Sequence, residues 1–262
     1  MKKEIVTFAS LLKEFEYHFD ARTVFDDFLT MTLCSFSLNP ATGKSFDEDL
    51  YMETIDKYKE NKLRHHFPKL LSCLVLEMEE LITARECPDV LGSFYEQNLY
   101  RKGTAQYFTP WPICWFMASC LTGEAHDESE PRRLRILDPC CGSGRMLIAG
   151  AHNQGREHEF YGIDVDLTCV RMTALNLFLN GVFNGEVMWA NALDPNDFRM
   201  SYRLSFLPFG IFRVTEKEKS HLWQLNQNTF QKEAQQEPPP FREKKLWEKL
   251  GDGSGDSQLQ LF

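Results

Sequence analysis

The sequence lacks an apolar run long enough to cross a bilayer. The best one, Ile113–Leu121, is about half of the roughly 20 residues that a spanning helix requires. Acidic residues also stand in the N-terminal stretch where a signal peptide would be apolar. We therefore expect a cytoplasmic protein without membrane contact. Positive charge is scarce too, because 29 lysines and arginines face 38 acidic residues for a net charge of −9. This balance argues against a non-specific nucleic-acid coat but permits a local basic face.

Several cysteine and glycine motifs are also missing. The eight cysteines contain no Cys-x-x-Cys pair and no Cys/His cluster with zinc spacing, which favours free buried thiols over disulfides or a metal site. We expect no metal. A Walker loop is absent, and Leu147 occupies the position where a dinucleotide fingerprint has its third glycine. The familiar phosphate-binding loops are therefore excluded.

The chain divides by its apolar pattern. Helical spacing runs from Leu12 to Phe36 and again from Leu71 to Ile82, whereas short strands alternate with helices beyond Pro88. Such alternation is typical of βαβ units and a parallel sheet. The sequence therefore predicts an α/β fold, with a helical N-terminal domain over 1–90, a Rossmann-like domain over 91–214 and a polar, mostly flexible tail over 215–262.

The strongest local signal is a strand that runs into an acid and a glycine turn, from Ile136 to Arg145. Gly142 and Gly144 have no Cβ atoms to hold a ligand away, and the following helix offers free amide groups at its N-terminus. Taken alone, such a loop is more often a structural turn than a ligand-binding loop.

Polar residues also end the next two predicted strands. Asp164 follows one strand and Asn191 the next, so a carboxylate and an amide are expected at the same edge of the sheet as the glycine turn. A carboxylate there can accept both hydroxyls of a ribose. The pattern predicts a nucleoside ligand, although Asp164 could instead cap a helix and Asn191 could be a turn residue.

Four stretches resemble a known family in their order and spacing. They are Gly103–Pro110, Asp138–Gly144, Gly162–Asp166 and Arg171–Leu177. Together they resemble the adenine-specific (N6) DNA methyltransferases, particularly the modification subunits of type I restriction systems and related phage and plasmid methylases. The resemblance implies a class I S-adenosylmethionine-dependent methyltransferase domain, with S-adenosylmethionine as cofactor and DNA as substrate.

The resemblance also implies a role for each matching residue. Thr109 and Asp138 would face the methionyl end of the cofactor, Asp164 its ribose and Asn191 its adenine. The presence of Thr109 also has a structural explanation, since a Thr directly before a Pro such as Pro110 is typical of a helix N-cap. The full predicted cofactor-binding set is Tyr107, Thr109, Pro110, Asp138, Pro139, Cys140, Gly142, Gly144, Asp164, Val165, Asn191 and Ala192.

The catalytic element departs from the family pattern. The related enzymes carry Asn/Asp-Pro-Pro-Tyr/Phe after the fourth strand, where it holds the target amine of a flipped base. The best positional match is Phe206–Gly210, which keeps Pro208 and Phe209 but replaces the polar acceptor and the first proline. Glu237–Phe241 is a weaker candidate. We therefore expect N6-methylation of adenine in DNA, or descent from that activity with the catalytic step weakened or lost. The alternatives are a non-catalytic module of a restriction or mobile-element system that binds the cofactor and DNA or protein, and a protein-amide or small-molecule methyltransferase.

Partners are implied as well. Little sequence follows Asn191 to form a target-recognition region, so sequence choice is expected to be relaxed or supplied by a specificity or partner subunit. The terminal peptide Gln258–Phe262 resembles the Gln-Leu-x-Leu-Phe peptide that docks on the bacterial sliding clamp. An apolar peptide of this kind gains by burial in a groove, although a tail that folds back on its own core is an alternative.

Overall fold

The computed structural model describes residues 6–39, 41–100, 107–121 and 133–235, with backbone alone for 121 and 230–235. Glu237–Phe241 and Gln258–Phe262 lie outside these ranges, and the hypotheses about them remain predictions. None of the helices within the described ranges combines the length and the apolar character that crossing a membrane requires.

The described residues that precede the sheet are mostly helical, in agreement with the spacing of their apolar side chains. Side-chain caps start the first two helices, because Thr7 accepts a hydrogen bond from Ser10 N and Asp20 accepts one from Thr23 N. The helices are α1 (Phe8–Lys13), α2 (Ala21–Ser35), α3 (Glu48–Asp56), α4 (Phe67–Ala84), α5 (Val90–Phe94) and α6 (Trp111–Leu121), with a 3-10 turn at Lys62–His66 and a π turn at Tyr95–Leu99.

A five-stranded sheet in the order β1-β2-β3-β4-β5 follows. Its elements are β1 (Arg135–Asp138), α7 (Arg145–Gln154), β2 (Glu159–Asp164), α8 (Leu167–Leu179), β3 (Asn184–Trp189), β4 (Met200–Phe206) and β5 (Phe209–Val214). The first three strands are parallel and joined by helices, which confirms the predicted α/β fold.

The fourth strand runs antiparallel to β3. Met200 lies opposite Trp189, and Ser205 opposite Asn184, so β4 returns from the carboxyl edge of the parallel strands to their amino edge. In a doubly wound nucleotide-binding sheet the strand order continues beyond strand 1. Among the described residues, however, no strand pairs with the outer edge of β1, and Leu137 on that strand is 48% exposed. The described sheet therefore builds the first half of such a fold and ends in a hairpin.

The helical region and the sheet share one hydrophobic core. Phe36 at the end of α2 packs on Phe178 of α8 with ring centroids 5.0 Å apart, and its carbonyl accepts a hydrogen bond from Ile211 N of β5. Asp26 accepts a 2.7 Å hydrogen bond from the Thr168 hydroxyl. The N-terminal helices thus brace α8, which in turn supports the parallel strands.

The polar stretch after Thr215 contains more structure than its composition predicted. A 3-10 turn at Lys217–Lys219 leads into α9 (His221–Gln235). Leu222 is buried there against residues of β2 and β3, and buried Glu186 of β3 accepts a hydrogen bond from His221 N at the start of the helix. Residues 217–235 therefore form structure that the composition of the tail did not indicate, because the apolar positions of this helix stand among polar ones, and the prediction of a mostly flexible tail remains for residues 236–262, outside the described ranges.

Candidate functional site

The carboxyl ends of the three parallel strands carry the polar residues. Asp138 ends β1 and Asp164 ends β2, while Asn191 follows β3 by two residues. Pairing of Asp138 with Gly162, and of Asp164 with Trp189, aligns these ends. The structure therefore brings all three side chains to one edge of the sheet.

A cavity of about 410 Å³ lies at this edge, within the usual range for small-molecule sites. Its walls include most of the predicted cofactor-binding set: Tyr107, Pro139, Cys140, Gly142, Asp164, Val165, Asn191 and Ala192. An adjoining recess of about 40 Å³ contains Thr109 and Asp138. Pro110 and Gly144 line neither space, because they lie at the starts of α6 and α7.

Asp164 joins the glycine loop to the end of β2. Its Oδ2 accepts a 2.9 Å hydrogen bond from Gly142 N, and its Oδ1 accepts one of 2.9 Å from Asp166 N. Each carboxylate oxygen retains further acceptor capacity. Burial raises the pKa of Asp164 above its usual value, although these backbone hydrogen bonds act in the opposite direction. The N-cap of α8 is Asp166, which accepts from Thr168 N, so the helix-cap interpretation of Asp164 is wrong.

The glycine loop has a backbone that only glycine adopts easily. Gly142 and Gly144 have φ angles of 54° and 88°, in the left-handed region. A Cβ on Gly142 would come within 2.8 Å of the Phe108 ring. The loop is held in place because the Thr173 hydroxyl donates to Gly142 O at 2.8 Å. Gly142 therefore allows the Phe108 ring to pack closely on the loop, and Gly144 supplies the left-handed turn before α7.

Asp138 lies at the other side of the loop. Its Oδ1 accepts a 3.0 Å hydrogen bond from Cys140 N, and burial raises the pKa of its carboxyl group. Cys141 beside it is buried, and desolvation raises the pKa of its thiol far above the usual value. That thiol is therefore an inert packing group, in line with the eight free cysteines of the chain.

Asn191 lies in the turn that follows β3. Its Oδ1 accepts a 3.0 Å hydrogen bond from Leu193 N, and its own N donates to Asp197 Oδ2 at 2.7 Å. It is therefore a turn residue, and it also lines the cavity. Its role in binding adenine stays a prediction.

Sequence reasoning missed a buried polar cluster behind the glycine loop. Asp89 is fully buried and accepts hydrogen bonds from Ser143 Oγ at 2.5 Å, Arg145 Nε at 2.7 Å and Asn176 Nδ2 at 2.7 Å. It also accepts from Gly92 N at 2.7 Å. The available signal was the presence of charged and amide residues within otherwise apolar helical segments, since such groups are rarely buried without partners.

Pro208 and Phe209 lie far from this site. Phe206 pairs with Phe209 across the turn of the β4–β5 hairpin, and Ser205 lies opposite Asn184 at the amino edge of the sheet. The six residues of β3 separate this turn from the cavity by roughly 20 Å. The sequence analysis matched Phe206–Gly210 to an element that follows the fourth strand, and the antiparallel pairing of β4 with β3 carries this element to the amino edge. The catalytic role predicted for Pro208 and Phe209 is therefore not supported by their position at the amino edge of the sheet.

A second cavity, of about 580 Å³, is larger. It lies beside α4, α6 and α7 and is lined by residues that include Trp111, Trp115, Arg85 and His152. It touches neither the glycine loop nor the ends of the parallel strands. The smaller cavity is therefore the better candidate, because chemistry in open α/β sheets concentrates at the carboxyl ends of the strands.

The chain has similarity to a solved structure and to a protein family. The chain resembles the methyltransferase subunit of the type I restriction-modification system from Streptococcus thermophilus, with 14% sequence identity and a TM-score of 0.33. The match covers 69% of this chain and 56% of that one, so this chain spans little more than half of the length of its solved relative. The N-6 DNA Methylase family matches residues 86–237, which include the glycine loop, all five strands and the start of the polar tail. The chain therefore belongs to the N-6 DNA methylase family.

Proposed function

We propose that this chain binds S-adenosylmethionine at the carboxyl edge of its sheet and takes part in N6-methylation of adenine in DNA. The observation that supports this most directly is Asp164, which anchors the glycine loop and borders the cavity. A carboxylate in this position suits the two hydroxyls of a ribose. Family membership supplies the reaction class.

The residues present fit this cofactor. Gly142 offers a wall without a Cβ, Asn191 lines the same cavity, and Thr109 and Asp138 line the adjoining recess. Two half-buried carboxylates also suit a ligand that carries a positive sulfur. We assign the ribose to Asp164, the adenine to Asn191 and the methionyl end to Thr109 and Asp138.

When bound, S-adenosylmethionine supplies an electrophilic methyl group, so the protein's task is to hold donor and acceptor in line. The described residues supply the donor side. Their carboxyl edge contains no Asn/Asp-Pro-Pro-Tyr/Phe sequence to orient an amine, since Pro208 and Phe209 lie at the opposite edge. The acceptor side must therefore come from outside the described residues, from a partner subunit or from Glu237–Phe241.

The second of these sources has some geometric support. Helix α9 begins beside Glu186 in β3, and its Gln227 side chain donates to the carbonyl of Pro195, beyond the end of β3. The helix thus runs toward the carboxyl edge. Glu237–Phe241 follows its last residue in the sequence, which makes Glu237 the first acceptor to test.

The proposal is tested in two stages. Calorimetry with S-adenosylhomocysteine should show binding by the wild type and much weaker binding by Asp164→Ala. Mass spectrometry of DNA from expressing cells should then detect N6-methyladenine, which Phe209→Ala should spare. Its loss in Glu237→Gln would assign the acceptor to Glu237, and its persistence there would assign the acceptor to a partner subunit. Absence of binding at millimolar ligand would reject the cofactor site.

A non-catalytic module is the second candidate, because the hairpin turn at Phe206–Gly210 lacks both the polar acceptor and the position of a catalytic element. Binding of the cofactor without methyladenine in DNA, either alone or with candidate specificity subunits, would favour it. Docking of Gln258–Phe262 on a sliding clamp is a separate prediction. It is tested by clamp binding of the full chain and of Leu261→Ala/Phe262→Ala.

A further inference from the structure

The cluster around Asp89 links the helical N-terminal region to two walls of the candidate cavity, the glycine loop and the Phe108 ring. Asp89 precedes α5, whereas three of its partners, Ser143, Arg145 and Asn176, belong to the glycine loop and the helices that follow. The carboxylate therefore accepts hydrogen bonds from three separate parts of the chain. Such a group fixes their relative positions, since each donor would be left unpaired in a buried place if it moved.

The cluster holds the residues of the glycine loop on both sides of Gly144. Ser143 and Arg145 flank Gly144, and both donate to Asp89 Oδ2, at 2.5 Å and 2.7 Å. Asn176 donates to Asp89 Oδ1 and also to the carbonyl of Ser143, at 2.8 Å. The residues on both sides of the left-handed Gly144 are thus held by one acceptor.

Arg145 extends this control to the second wall. Its guanidinium carbon lies 5.5 Å from the centre of the Phe108 ring, the same ring that packs against Gly142. Glu96 accepts a 2.7 Å hydrogen bond from Arg145 Nη2. Burial lowers the pKa of Arg145, yet Asp89 and Glu96 outweigh that effect and raise it. The side chain is therefore a firmly held cation beneath the aromatic wall.

There is little room for the cluster to rearrange. A Cβ on Gly92 would come within 2.1 Å of Asp89 Oδ2 and 2.4 Å of Ser143 Oγ. The backbone of α5 therefore packs directly on the carboxylate and on the loop. The family match begins at residue 86, so it includes this segment together with the sheet.

We propose that Asp89 is the positioning residue of the cofactor site: it sets the shape of the loop Cys140–Arg145 before the ligand arrives, without contacting the ligand. The proposal rests on the cofactor site put forward above. Preorganisation of this kind increases affinity because the loop need not be ordered on binding. The helical N-terminal region thereby acquires a function in cofactor binding.

The test compares two buried carboxylates. Asp89→Asn keeps the shape but removes the charge, and Glu186→Gln does the same at a fully buried carboxylate that accepts from Ser201, Ser220 and His221 N away from the cavity. Both variants should melt earlier than the wild type. At a temperature where all are folded, Asp89→Asn should bind S-adenosylhomocysteine about ten- to a hundredfold more weakly, as expected for lost hydrogen bonds to a charged group. Glu186→Gln should stay within about twofold of the wild type.

Hydrogen exchange provides a readout that general destabilisation would not mimic. Asp89→Asn should speed exchange of the amides of residues 140–145 while leaving the amides of β3 protected. Should Asp89→Asn fail to fold, Ser143→Ala removes a single link between the carboxylate and the loop, and a severalfold loss of affinity is expected.

Three results would overturn the proposal: a folded Asp89→Asn protein with wild-type affinity, equal losses in Asp89→Asn and Glu186→Gln, or unchanged exchange of the loop. If the wild type itself does not bind the ligand, the cofactor site is rejected, and the exchange experiment still decides whether Asp89 shapes the loop.

Discussion

The two edges of the parallel sheet differ in chemistry. At the carboxyl edge, Asp138, Asp164 and Asn191 surround a cavity beside a glycine loop with left-handed backbone. At the amino edge, the β4–β5 hairpin presents Phe206 and Phe209, whose rings pack on Phe183. One edge exposes hydrogen-bonding groups that the fold does not fully use, and the other is held together by aromatic contacts.

The difference shows why a motif must be located in space before it receives a function. Pro208 and Phe209 match part of a catalytic tetrapeptide in sequence, yet the pairing of β4 with β3 carries them to the aromatic edge. Asp164 has a less distinctive sequence context, but its hydrogen bonds to Gly142 N and Asp166 N place it in the cavity wall. The position of each element in the sheet, rather than how well its sequence matches a motif, therefore distinguishes Asp164 from Pro208 and Phe209 as a candidate site residue.

Replacement of Asp164 should give the largest change at the carboxyl edge. We expect Asp164→Ala to weaken S-adenosylhomocysteine binding by about 1.5–3 kcal/mol, the range for hydrogen bonds to a charged group. Calorimetry measures this. Asp166→Asn is the control, because that side chain caps α8 and should affect the melting temperature rather than affinity. Equal affinity losses in both variants would contradict the assigned role.

A methyl group on the glycine loop should have the next largest effect. Gly142→Ala adds a Cβ against Phe108 and should lower cofactor affinity at least about tenfold, with a stability cost of about 1–3 kcal/mol for left-handed strain. Gly43→Ala is matched to it, since Gly43 has a φ of 68° and open space around its Cβ position. That control should lose stability alone, as measured by thermal unfolding and calorimetry.

Acidification should weaken the carboxyl edge selectively. Burial raises the pKa values of Asp138 and Asp164, so these groups take up protons at a higher pH than ordinary carboxyls. As the pH drops through these pKa values, cofactor affinity should fall by up to about tenfold per pH unit for each of the two carboxylates that takes up a proton. Because a raised carboxyl pKa means tighter proton binding in the folded state, the same protonation should not itself destabilise the fold. Titration calorimetry and thermal unfolding across pH separate the two effects, and Asp164→Asn should flatten the affinity curve.

Changes at the aromatic edge should have the smallest effect on binding. Phe209→Ala removes ring contacts with Phe178 and Phe183, so we expect a loss of about 1–2 kcal/mol in unfolding free energy for this partly exposed side chain. Cofactor affinity should stay within about twofold of the wild type. A large loss of affinity in Phe209→Ala would show that this edge contributes to the site after all.

Local patterns were sufficient for most of the fold. The strand–turn–helix stretch from Ile136 to Arg145 appears almost as its apolar spacing predicted, and Gly181 follows the end of α8. Helix α9 was missed because its few apolar residues are spread through a polar, glutamine-rich stretch. Packing of Leu222 on the sheet stabilises that helix, and such a contact has no local signature.

The sequence by itself determined which side chains stand at the ends of β1, β2 and β3, because strand length and the turn glycines are local properties. Only the tertiary structure decided which edge the fourth strand reaches, since antiparallel pairing with β3 depends on contacts between distant residues. The tertiary structure alone also revealed Asp89, whose four donors come from residues 92, 143, 145 and 176. A buried carboxylate acquires its function from the donors that folding gathers around it, and their spacing in the chain carries no record of that arrangement.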